Sequence, residues 1–364
     1  MPAFSSPRSS ALVASLIGLL VSACSNTVIG GSTGGAGGSG GDVPIETTGT
    51  AGSDTTVASS SSGVFGGCAN PSPVGLPAAA CTPTDPSCGA GSSVCLATTH
   101  AQGAPAFDMR IAHIVLSAPK AFTHGIVKSI FQDYTRPHAP TCNLYGQATF
   151  NWLLRFDTSA GTLTVGAAKP VPDPATSYAF LHGPVALGDS TFPVAPVTLS
   201  ASLAPTCGVE SSAGDVLLPF YGDVAGNTYT IFPLRSLRFF DTLVTPDHDC
   251  IGAYDAAGLD PANNCIADDA HPDFIDGGHL DAFISLEEAD TVLIPPLDES
   301  LCVLLSEDAT TYGDGGHPRR CKRSNNAIVF QGDWCSATNQ PASGGCADAV
   351  RFAGSFAASG TTIQ

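Results

Sequence analysis

The chain has 364 residues, with 14 Lys+Arg against 32 Asp+Glu, and 13 Cys. A formal net charge of −18 excludes a nucleic-acid binder, because phosphates demand a basic footprint. Mean hydropathy of +0.18 with only 13% charged residues excludes a disordered body, and 40 Gly with 28 Pro argue against a mostly helical one.

In chain order, the first segment reads as an address. Arg8 precedes an apolar run from Ala11 to Ala23, the layout of a secretion signal and too short to span a bilayer. The run ends Val21-Ser22-Ala23-Cys24: an aliphatic residue, two small residues, then Cys. This resembles the lipobox of bacterial lipoproteins, over the first 24 residues only. The resemblance implies that Cys24 is lipidated and becomes the mature N-terminus. It also implies that Ser25 favours the outer over the inner membrane. Three acyl chains on one residue exceed the two anchoring signals that already hold a protein stably. No later stretch reaches 18 uninterrupted apolar residues, so no transmembrane helix is expected.

Setting Cys24 aside leaves 12 cysteines. An even set in an exported chain points to disulfides, and proximity suggests Cys250–Cys265 and Cys335–Cys346 as local pairs. No CxxC occurs, which weakens a zinc ribbon or a thioredoxin-like site.

Residues 24–67 are expected to form a tether. Of the 43 residues from Ser25 to Gly67, 13 are Gly, 8 Ser and 7 Thr. Such a coil has an r.m.s. span of roughly 35 Å and a reach on the order of 150 Å. Gly35 to Gly40 fits GxGxxG and Gly37 to Gly41 fits GxSxG. Neither follows a strand or opens a helix, so both are accidents of composition. Cys68, Cys81, Cys88 and Cys95 then punctuate a Pro-rich stretch, read as a disulfide-pinned segment over 68–105.

From 106 to the end the pattern predicts strands. Ala148, Phe150, Trp152, Leu154 and Phe156 alternate with Gln147, Thr149, Asn151 and Arg155, with Leu153 the exception. Asp157 to Gly161 is a turn, and Thr162–Ala168 the returning strand. Other predicted strands are Phe107–Ser117, Val194–Leu203, Val216–Tyr221, Thr228–Val244 (interrupted at Pro233), Ala327–Gln331 and Val350–Ala358. Ser285-Leu286-Glu287-Glu288 resembles a capping box; His124–Asp133 is ambiguous. The expectation is a mainly β fold: an antiparallel β-sandwich or jelly-roll-like domain with few short helices, braced by disulfides.

Between Arg238 and Arg319 lie 80 residues without a Lys or Arg, holding 18 of the 32 acids. Such self-repulsion needs relief by solvent, salt or a cation. Asp247, Asp249, Asp268, Asp269, Asp273, Asp276 and Asp281 crowd one part of it. They form either a solvated acidic surface or a structural Ca²⁺ site, since Ca²⁺ takes oxygen ligands. Asp276-Gly277-Gly278-His279 echoes Asp314-Gly315-Gly316-His317; both read as turns before metal ligands. The basic run Arg319-Arg320-Cys321-Lys322-Arg323 is expected to pair with these acids. Trp152 reads as core, and Trp334 as packing on a disulfide. HExxH is absent.

Two functions follow from different classes. The first is a membrane-anchored lipoprotein of the cell envelope, non-enzymatic, with a binding or structural role toward a polysaccharide or protein partner. The second is a secreted metal-dependent hydrolase, which needs His248 and His279 to converge with at least two acids of 247–281.

Overall fold

The computed structural model describes residues 93–171, 177–204, 206–307 and 317–364, all within one unit spanning Gly63–Gln364. The signal segment, Cys24, the tether, Cys68, Cys81, Cys88 and Asp314 lie outside the described residues.

Ten strands carry the main sheet: β1 (Ala106–Ala118), β2 (Asn151–Asp157), β3 (Thr162–Ala168), β4 (Val197–Leu203), β5 (Gly208–Ser211), β6 (Gly214–Tyr221), β7 (Tyr229–Phe240), β8 (Thr242–Leu243), β9 (Gly278–Ser285) and β10 (Ala349–Gly360). They pair antiparallel in the order β6-β7-β9-β10-β1-β2-β3-β4-β5-β8. The described α-helices are α1 (Gly125–Thr135), α2 (Leu286–Thr291) and α3 (Leu301–Ser306). The fold is therefore mainly antiparallel β with few short helices.

The connections force this sheet to curl. β5 and β6 stand near opposite ends of the order, yet only Ser212 and Ala213 separate them, a reach of about 11 Å. Asp241 alone joins β7 to β8. The ends meet through the Phe239 amide donating to Ser211 Oγ (2.9 Å) and the Asp241 amide donating to Glu210 Oε1 (3.0 Å).

Aromatic side chains fill the interior. Phe150, just before β2, and Trp152 of β2 meet Phe220 from β6 and Phe239 from β7, with centroids 4.8–6.1 Å apart. Phe131 of α1 plugs the same core against Phe232. Burying each such ring contributes about 1.5–3 kcal/mol.

Three elements differ from the sequence reading for physical reasons. At the start of β2, Asn151 and the preceding Thr149 are buried with Leu153, because both faces are covered. Ala168, Tyr178 and Ile363 pack over Leu153, and Asn151 Oδ1 accepts from Arg110 Nε at 2.6 Å. In β7 the break falls at a bulge between Arg235 and Arg238, where Ser236 takes φ +52°, and not at Pro233. Pro233 pairs with Leu217 of β6 where β9 has not yet joined, so its missing N–H forfeits no ladder bond on that side. The third is β9, which the acidic content hid: Leu280, Ala282 and Ile284 face the core. Asp281 on its other face is held by Arg238 (3.3 Å) and Arg351 (2.8 Å) from the neighbouring strands. The helix read from Ser285 is present as α2, but Ser285 makes no side-chain cap. Glu287 and Glu288 turn instead to Arg323 and Arg235. Only Ala327–Ile328 of the strand expected there forms.

The turn between β6 and β7 gives a pH dependence. Asp223 accepts from the amides of Asn227 (3.2 Å) and Thr228 (2.6 Å). Partial burial pushes its carboxyl up, but these bonds outweigh it and leave the pKa below the ordinary 3.8. A depressed folded pKa stabilises above the unfolded value and fades as pH falls through the folded one. Thermal melts between pH 5 and pH 2 are thus expected to fall less steeply in Asp223→Asn than in the wild type; equal slopes would reject this.

Candidate functional site

A polar cavity starts from a bulge. In β1 the register against β10 shifts between Ile111 and His113. Strict alternation would send Ile111 and His113 into the core together. The extra residue instead turns Ala112 and His113 outward, while Ile111 and Ile114 face the core. His113 is 3% exposed. It lines a cavity of about 240 Å³ together with Lys128, Gln132 and Arg136 of α1, and Asp268, Asp269 and Asp273 of the loop before Phe274–Ile275.

The His113 ring is fixed on three sides. Phe274 stacks on it at 5.1 Å. Nδ1 lies 2.8 Å from Asp276 Oδ1, and Asp276 Oδ2 accepts from Ser355 Oγ at 2.6 Å. A carboxylate only accepts, so Nδ1 is the donor of this bond. Nε2 lies 4.0 Å from Asp273 Oδ1, beyond hydrogen-bond range. Asp273 is itself buried and clamped by Arg136, with Nε 2.5 Å from Oδ2 and Nη2 3.2 Å from Oδ1. Asp269 holds Lys128 at 2.6 Å. Asp268 accepts from the amides of Ala270 and His271 and from the His271 ring. The His271 hydrogen bond, foremost, holds its carboxyl below the usual range. Tyr254 nearby has its hydroxyl pushed well up, first by burial and then by Asp273 and Asp255.

The seven acids of the sequence reading are thus divided. Asp268, Asp269 and Asp273 share the cavity, and Asp276 stands behind His113. Asp247 accepts from Thr245 Oγ1 and Asp249 from His100 and the Ala101 amide; Asp281 serves the two arginines. Among the described residues, no three of these carboxylates bring oxygens within 4.8 Å of one another. A calcium shell of six to eight oxygens is not assembled. The hydrolase pairing is not assembled either. His248 turns to the Ala104 carbonyl and Phe107, whereas His279 lies tilted against Phe240. His113 carried no signal in the sequence, because its partners Asp273 and Asp276 lie about 160 positions downstream in a strand-flanking loop.

The cysteines correct one expected pair. Cys250 bridges to Cys95, with Cα atoms 5.8 Å apart, and not to Cys265. Register explains it: Cys250 pairs with Ser359 of β10, and Ser93–Val94 lies alongside Ala253–Asp255. Cys335–Cys346 is bridged, as is Cys302–Cys321. Cys142, Cys207 and Cys265 are disulfide-bonded too. Asp290 near Cys302 and Cys321, and Asp348 near Cys335 and Cys346, are therefore not metal sites, since the ligand is the thiolate. Trp334 joins the hairpin that the Cys335–Cys346 bridge closes, with Arg351 over its ring.

A second, open cleft of about 640 Å³ is lined by Asp290, Arg320, Lys322 and Arg323. Its basic run is paired internally. Arg319 meets Glu299, Arg320 donates to the Asp290 carbonyl, and Arg323 meets Glu287 and Asp290. Burial raises the Glu299 carboxyl pKa and Arg319 opposes that.

The molecule is, as a class, a disulfide-braced antiparallel β protein with a sheet curled around an aromatic core. The chain matches no family model, no curated protein and no solved structure. No described helix is long and apolar enough to cross a membrane.

Proposed function

We propose that this chain is an exported lipoprotein, anchored through Cys24 and displaying the β body on the tether of residues 25–67 as a binding or structural module of the cell envelope. The observation that carries the reading is the state of the sulfurs: all nine cysteines of the described residues are disulfide-bonded. Such bonds persist in oxidising compartments and are rare in a reducing cytosol. An oxidised body behind a lipobox fits anchorage better than free secretion. The aromatic filling of the curled sheet directs binding to the outer surface, where the cavity at His113 and the cleft at Arg320 lie. An envelope polysaccharide or protein is the partner class that fits a tethered, surface-binding body.

Cell fractionation tests the anchor. The wild type is expected in the membrane fraction, and Cys24→Ala in the soluble exported fraction with the body still folded. Unchanged membrane retention of Cys24→Ala would contradict the proposal.

A further inference from the structure

We propose that residues 68–88 are stapled onto the face of the body at which the described chain begins, with Cys68, Cys81 and Cys88 each bridged to one of Cys142, Cys207 and Cys265. The staples make the end of the tether a cross-linked clasp. One backbone cut between Cys88 and Cys95 then leaves the body joined to its anchor. The count of sulfurs rests on the reading of Cys24 as lipidated; the face that takes the staples does not.

Sulfur arithmetic gives the first support. The bridges Cys95–Cys250, Cys302–Cys321 and Cys335–Cys346 use six of the nine described cysteines. Cys142, Cys207 and Cys265 are disulfide-bonded as well. Three sulfurs cannot satisfy one another in pairs, and none of the described bridges joins two of them. Their partners are therefore sought among the other cysteines of the chain: Cys24, Cys68, Cys81 and Cys88. A thioether at Cys24 cannot bridge, which leaves three sulfurs for three.

Placement gives the second support. The described chain enters at Ser93–Val94, which pairs with Ala253–Asp255. Cys142 packs with Val94 and Tyr254, and its carbonyl accepts from the Tyr254 hydroxyl. The Cys207 carbonyl accepts from the Val244 amide at 3.0 Å, and Val244 bridges Ile251. Cys265 lies in the loop that follows Ala253–Asp255, its amide donating to the Asp260 carbonyl at 3.0 Å. All three therefore sit on or against residues 244–265, the stretch that receives the entering chain. Cys88 is seven residues from Cys95, a reach of about 25 Å at most. It must land near the Cys95–Cys250 bridge.

The two surfaces also match in chemistry. An exposed large apolar side chain stands beside each receiving cysteine: Tyr145 (52% exposed) near Cys142, Ile266 (50%) after Cys265, and Leu243 (48%), which pairs with Gly208 next to Cys207. Residues 68–92 carry one charge, Asp85, and hold Val74 and Leu76 among five prolines. Proline brings no N–H to bury, so such a segment covers apolar surface at little polar cost. Extended at about 3.1 Å per residue, it spans roughly 40 Å from Cys68 to Cys81 and roughly 22 Å from Cys81 to Cys88. Each staple forms as two thiols lose two protons and two electrons to a disulfide oxidant of the exporting compartment, which leaves as a dithiol.

Peptide mapping of the exported full chain, digested without reductant and read by mass spectrometry, tests this. Three cross-linked pairs are expected, each joining one of Cys68, Cys81 and Cys88 to one of Cys142, Cys207 and Cys265. A bridge within either set of three, a free thiol in either set, or a covalent dimer that uses these sulfurs would overturn the inference. The exported Cys24→Ala variant is expected to keep the same three pairs. Failure of the lipid reading is thereby separated from failure of the staples: an unmodified Cys24 beside three intact staples leaves the inference standing, and a bridge at Cys24 overturns it. A specific protease site inserted after Gly91 gives a second readout. Once cut, the protein is expected to run as one species without reductant and as two with it; separation without reductant would reject the clasp.

Discussion

Replacing both partners of the long-range bridge, Cys95→Ala with Cys250→Ala, is expected to lower the unfolding free energy by about 2–4 kcal/mol. The two residues are 155 positions apart, and loop-closure entropy grows with the length enclosed. A loop of that size alone gives the upper end of the usual range. Cys142 and Cys207, within this stretch of chain, are disulfide-bonded as well, and other cross-links reduce the freedom that each added link removes. The bridge also pins the arm before β1, whose Thr98 and Thr99 amides donate to the Gly360 carbonyl at the end of β10. Cys250 is 1% exposed, so the paired alanines also leave a small void. For a body of this size each kcal/mol moves the melting temperature by about 2–4 °C, and a drop of roughly 5–15 °C is expected by calorimetry. A shift under 2 °C would mean that the arm is held without the bridge.

Asp273→Asn is the second large effect, expected at about 2–4 kcal/mol by denaturant unfolding. The substitution keeps shape and removes charge. It strands the Arg136 guanidinium, whose side chain is 13% exposed. Leaving one member of a buried pair uncompensated generally costs about 3–5 kcal/mol. Partial exposure and the 3.5 Å contact to Asp133 reduce that. Asp281→Asn is the matched comparison. Asp281 also faces two arginines, but these are 50% and 40% exposed, so solvent screens them. The expected order is Asp273→Asn well above Asp281→Asn; equal losses would show that burial does not set the strength of these pairs.

Much of the sheet was legible because its signal is local. The hairpin of β2 and β3 is announced by Asp157 to Gly161 between alternating runs, and β10 by its period-two apolar face. What failed were features that depend on the far side of the fold. Asn151 looked solvent-facing because nothing in its own strand reveals that Arg110 and a second layer cover it. Asp281 of β9 read as part of an acidic surface or a cation site because Arg238 and Arg351, which neutralise it, sit 43 and 70 positions away. Cys250 was paired by proximity, whereas strand register chose Cys95. His113 is one of several polar residues in β1, and the bulge at Ala112 turns it away from the main core.

Intact-mass analysis and thiol titration of the native protein test the central claim most directly. The expected result is a chain beginning at Cys24, carrying the mass of a diacylglycerol and an acyl group, with no titratable thiol. A chain retaining Met1 and several free thiols would contradict the account.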